Sequence, residues 1–89
     1  MKKYIPKLVR GKNNLTLRNN YLYLSTEARK NYKGNISLYY DKDKKVIKLE
    51  NDSRGLFKLH SNGNINCSIS EVMPTGTYFN ENGIYKYQV

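Results

Sequence analysis

Apolar and polar residues alternate along much of this chain, and the alternation predicts strands. "ISLYY" and "VIKLE" flank the polar "DKDKK" (Asp41 to Lys45) and read as a hairpin over residues 36–50. Ile36, Leu38 and Tyr40 then share one face, opposite Ile47 and Leu49. A second pair, "LFKLH" and "INCSIS", flanks "SNGN" and predicts a hairpin over 56–69. There Asn62-Gly63 supplies a tight turn, and Phe57, Leu59, Ile65, Cys67 and Ile69 point inward. A third pair, "GTYFN" and "GIYKYQV", turns at Asn82-Gly83 and predicts a hairpin over 77–89.

Helical signals are few. In "STEARKNYKG", Ser25 or Thr26 can cap, Glu27 suits the positive end of a helix, and Ala28 and Tyr32 lie four residues apart. Gly34 can stop the segment, so a helix of about two turns is expected over 25–33. "MPTGTY" reads as a turn built on Pro74 and Gly76. The expected fold class is mainly β, or small α+β: successive β-hairpins with one short helix, in a single domain spanning 1–89.

Size and charge then bound the function. A chain of 89 residues buries only roughly 60 to 65% of its unfolded surface, so its core is small and association with a partner would help it. The net charge of +9 is concentrated towards the N-terminus: residues 1 to 30 hold eight Lys/Arg and one acid, whereas residues 61 to 89 hold one and two. Coding bias towards Lys, Asn, Tyr and Ile explains abundance better than it explains clustering. A clustered basic face favours a polyanion or an acidic protein surface.

Other classes fit less well. "MKKYIPKLVRGKNN" carries no apolar run of signal-peptide length and no segment approaches a membrane span, so a cytoplasmic protein without membrane contact is expected. The single cysteine, Cys67, permits no internal disulfide. His60 and Cys67 are seven residues apart on expected strands, which sends them to opposite faces and argues against a catalytic pair. Asp41 and Asp43 lack the glycine and terminal glutamate of a calcium loop and are flanked by lysines, so a hairpin turn is their expected role. Neither a cofactor nor a metal is expected, and the reading is of a non-enzymatic protein.

The basic stretch "RGKNNLTLR" and the tyrosines carry what chemistry remains. Arg10, Lys12, Asn13, Arg18, Arg29 and Lys30 are the candidate nucleic-acid-binding residues: arginine forks suit phosphates or guanine edges, and asparagine amides add hydrogen bonds. "YLYL" and "LYY" place Tyr21, Tyr23 and Tyr39 on exposed strand faces, where bases could stack between cations.

The order of elements in "LTLRNNYLYLSTEARKNYKGNISLYYDKDKKVIKLEN", residues 15–50, resembles the AbrB-type swapped-hairpin domain of bacterial transition-state regulators and antitoxins. In this chain Ser25-Thr26 stands where that family has a proline, and Asn19-Asn20 where it has a glycine. The resemblance implies a homodimer paired through residues 15–50 and DNA contacts from Arg18, and more loosely from Arg10 and Lys12, with Arg29 and Lys30 on the exposed side of the helix. The whole chain is also faintly similar to small proteins of phages and mobile elements.

Two functions are therefore expected. The first is a small DNA-binding regulator of phage or mobile-element type. The alternative is an inhibitor or adaptor that binds an acidic host protein through its basic face. Binding to single strands is a minor third.

Overall fold

Two-residue periodicity sorts the side chains of the folded chain into an apolar inside and a polar outside. A computed structural model describes residues 13–87. It contains β1 (Asn14–Arg18), β2 (Tyr21–Leu24), β3 (Asn35–Asp41), β4 (Val46–Asn51), β5 (Phe57–Lys58), β6 (Asn64–Asn66), β7 (Gly76–Glu81) and β8 (Ile84–Tyr87). One short helix, α1 (Thr26–Arg29), and a 3-10 turn at Ile69–Glu71 complete it. All eight strands join one antiparallel sheet in the order β5-β3-β4-β8-β7-β1-β2-β6. The fold is mainly β, as the alternation predicts.

Local turn chemistry fixes three of the registers. Between β3 and β4, Leu38 faces Leu49 and Tyr40 faces Ile47. The connecting turn is held by Asp41, whose Oδ1 accepts from the backbone N–H of Asp43 at 3.0 Å and of Lys44 at 3.1 Å. Between β7 and β8, Asn82 (φ 56°) and Gly83 (φ 87°) both take the left-handed conformation that a tight hairpin turn needs. Between β1 and β2, Asn20 bears a φ of 70° and brings Arg18 opposite Tyr21.

The expected hairpin over 56–69 is not a hairpin ladder. β5 pairs with β3 and β6 pairs with β2, so the two segments lie at opposite ends of the strand order. The turn between them joins those ends. His60 N–H donates to the Asn64 carbonyl at 2.9 Å, Gly63 N–H to the His60 carbonyl at 2.9 Å, and the chains then diverge. The sheet is thereby nearly closed, which leaves little unpaired strand edge at this seam. Beyond the ladder of β2 and β6, Leu24 N–H donates to the Gly63 carbonyl at 2.8 Å and Cys67 N–H to the Asn20 carbonyl at 3.1 Å.

The helix is shorter than expected. Ser25 caps it, its Oγ accepting from Ala28 N–H at 3.2 Å and also from Asn14 N–H at 3.1 Å. After Arg29 the chain is drawn towards the end of β4 by Asn51, which donates through Nδ2 to the Asn31 carbonyl (3.0 Å) and accepts from Lys33 N–H (2.9 Å). Those bonds compete with further helical turns.

Inside the sheet, Leu15, Leu17, Leu22, Leu24, Ile36, Ile47 and Ile65 are fully buried, each worth about 1.5–3 kcal/mol of burial. Two tyrosines share this interior and keep their hydroxyls bonded, as buried polar groups must be. Tyr78 donates to the Pro74 carbonyl at 2.6 Å and Tyr85 to Asn13 Oδ1 at 2.7 Å.

Burial raises the Tyr78 hydroxyl from 10.0 to about 12, with the Tyr87 hydroxyl adding to the shift, and it pushes Tyr85 up as well. A raised folded-state value means that the neutral hydroxyl supports the fold. Its contribution is complete below the unfolded value near 10 and is lost as pH climbs towards about 12. Urea midpoints should therefore fall above pH 10, and less steeply in Tyr78→Phe; an identical alkaline profile in that variant would contradict the assignment.

Gly63 gives the second expectation. Its φ is +94°, and a Cβ there would lie 2.6 Å from Arg29 Nε and 2.7 Å from the Leu24 carbonyl. Gly63→Ala should cost about 1–3 kcal/mol in chemical denaturation, because strain and overpacking both act at the seam.

Candidate nucleic-acid interface

The pairing that buries the leucines of β1 and β2 turns their neighbours outward. Thr16 faces Tyr23, which faces Asn64; Arg18 faces Tyr21, which faces Asn66. Two rows of polar and aromatic side chains thus cross three strands. Thr16, Arg18, Tyr21, Tyr23 and Asn64 line an open groove of about 370 Å³. Tyr21 is 36% exposed and Tyr23 40%, and strand geometry separates their Cα atoms by about 7 Å.

Arg29 fixes one side of this face. Its Nε donates to the Leu24 carbonyl at 3.0 Å and its Nη2 to the Tyr23 hydroxyl at 2.8 Å. The guanidinium carbon is 5.3 Å from the centroid of the Tyr23 ring. A guanidinium has five N–H donors, so these bonds leave about three for another acceptor. Arg29 also lines a second depression of about 230 Å³, with Tyr32, Lys33, Gly34, Leu59, His60 and Ser61.

The other sequence candidates are spread out. Arg10 and Lys12 lie outside the described residues. Asn13 turns its amide oxygen to the buried Tyr85 hydroxyl, and Lys30 pairs with Glu27 at 3.1 Å on the exposed side of α1. Among the described members of the set, Arg18 and Arg29 meet at the groove and its border, whereas Asn13 and Lys30 do not. Thr16 and Asn64 were not among the candidates: Thr16 follows from the alternation of β1, whereas Asn64 reaches the groove through the pairing of β6 with β2, which no local signal announces.

Elsewhere, Cys67 is buried, burial pushing its thiol up, and His60 is exposed. Among the described residues no three His, Cys, Asp or Glu side chains cluster as a metal site, and no helix is long and apolar enough to cross a membrane. A separate depression of about 210 Å³ is lined by Tyr39, Tyr40, Asp41, Val46, Lys48 and Ile84. Comparison with protein-family models, curated proteins and solved structures finds no match to this chain.

Arg29 should act as the brace of Tyr23. Arg29→Ala is expected to cost about 1 kcal/mol of stability and to change the ring resonances of Tyr23 while those of Tyr39 stay in place. Arg29→Lys should not restore them, because an ammonium lacks the fork that spans two acceptors. Unchanged Tyr23 resonances in Arg29→Ala would show that the brace is absent in solution.

Proposed function

We propose that this protein binds nucleic acid through the outer face of β1, β2 and β6, taking unpaired bases on Tyr21 and Tyr23 and a backbone phosphate on Arg18. The observation that carries the reading is the groove itself: two outward tyrosines two residues apart, with an arginine across from one and amide or hydroxyl groups beside both. Every base offers a π-face, and stacking on an aromatic side chain is worth about 1–3 kcal/mol per base. In a duplex those faces are covered by neighbouring pairs and only base edges and phosphates are open. Rings standing on a sheet therefore favour single-stranded ligand.

Electrostatics supports the same choice. The chain carries +9, which draws polyanions in, and among the described residues the groove is lined by one cation, Arg18. Stacking then supplies most of the local affinity and charge supplies attraction. Asn64 and Thr16 can hydrogen-bond base edges or sugar. Single-strand binding, the minor third expectation from the sequence, thereby moves ahead of the DNA-binding regulator expected first.

A protein partner is the second reading, favoured by the apolar side chains Tyr39 (50% exposed), Tyr40 (51%) and Ile84 (36%) beside Lys48. Under that reading Tyr39→Ala and Ile84→Ala, rather than the groove variants, would lose the ligand.

Fluorescence anisotropy with mixed-sequence single-stranded oligonucleotides checks the proposal. Tyr21→Ala and Tyr23→Ala should each weaken binding by about 1–3 kcal/mol. Arg18→Ala should lower the log-log salt slope by about 0.7. Duplex of the same sequence should bind more weakly than the single strand. A double tyrosine variant that stays folded by circular dichroism and keeps full affinity would sink the reading.

A further inference from the structure

We infer that a strand bound on the tyrosine platform continues over Arg29 into the second depression, where Arg29, Lys33 and His60 receive its next phosphate. The inference rests on the nucleic-acid reading of the groove and extends it to a second subsite. Arg29 is the link. It borders the groove through its bond to the Tyr23 hydroxyl and lines the second depression directly.

The guanidinium is held in place by Leu24 and Tyr23 at 3.0 and 2.8 Å, so little side-chain freedom is lost when its remaining donors meet an anion. Lys33 and His60 are exposed, and neither is in a salt bridge among the described residues. The backbone of Lys33 is fixed by Asn51, and that of His60 by its bond to Asn64, so both donors hang from held positions.

The chemistry of the two depressions is complementary. The first combines aromatic rings with amide and hydroxyl groups, which suits bases. The second gathers three nitrogen-bearing side chains with Ser61, which suits a phosphate. An extended strand places bases and phosphates in sequence, so a ligand of two nucleotides fills the platform alone and a longer one reaches both.

Length dependence tests this. Affinities and salt slopes of a dinucleotide and a hexanucleotide of thymidine would be measured by tyrosine fluorescence and NMR titration. The proteins are the wild-type chain, a Lys33→Ala/His60→Ala variant and a Tyr21→Ala/Tyr23→Ala variant. The expected result is that Lys33→Ala/His60→Ala binds the dinucleotide as wild type but the hexanucleotide several-fold more weakly. Its hexanucleotide salt slope should be reduced by roughly 0.7 for each phosphate contact removed.

Wild-type hexanucleotide affinity in that variant, with binding still lost in the tyrosine variant, would overturn the second subsite and leave the platform standing. Equal losses for both ligands in the folded Lys33/His60 variant would also overturn it, since the effect would then act on the platform. Failure of the wild-type protein to bind either ligand would overturn the platform reading and the subsite with it.

Discussion

The register of β1 against β2 is the constraint on which the rest of the structure depends. With Leu15 opposite Leu24 and Leu17 opposite Leu22, four leucines enter the core together. A slip of one residue would turn one strand over against the other, exposing two of the leucines and burying either Thr16 and Arg18 or Tyr21 and Tyr23 in their place. Two devices pin the register: Asn20 in the left-handed conformation at the turn, and Ser25, whose hydroxyl accepts from Asn14 at the open end. Because the same pairing decides what faces out, the groove is a by-product of core formation. Its tyrosines stand where they do because the leucines between them are buried.

Closure of the sheet comes second and completes the site. β6 brings Asn64 beside Tyr23, and the turn before β6 carries Gly63 against Arg29. A substitution at this seam therefore reaches both the fold and the binding face. Burial of Tyr78 and Tyr85 with bonded hydroxyls fills the interior with larger side chains than aliphatic residues alone would provide.

Much of this was legible in the sequence, for local reasons. "ISLYY…VIKLE" and "GTYFN…GIYKYQV" formed hairpins because alternation and turn chemistry act over a few residues and agree. The exposure of Tyr21, Tyr23 and Tyr39 followed from the same period. Residues 56–69 were misleading, because an Asn-Gly turn looks the same whether it joins two paired strands or two ends of a sheet; long-range pairing of β5 with β3 and of β6 with β2 decided between them. The helix ended early because Asn51, about twenty residues away in sequence, takes hydrogen bonds from and gives them to the segment after it. Asn64 was hidden for the same cause, since its place in the groove depends on the pairing of β6 with β2. The brace of Arg29 is local, its partners Tyr23 and Leu24 lying six and five residues earlier, and it needs the chain to fold back after β2.

The claim that the β1–β2–β6 face is a stacking platform for unpaired bases is tested most directly by ring-current shifts. Tyrosine ring protons would be followed by NMR while an oligothymidylate is titrated into the protein, and then while a duplex of matching length is titrated. The account predicts upfield shifts of the Tyr21 and Tyr23 rings with the single strand, little change at Tyr39 and Tyr40, and no comparable shifts with the duplex. Shifts confined to Tyr39 and Tyr40, or equal shifts of Tyr21 and Tyr23 with both ligands, would contradict it.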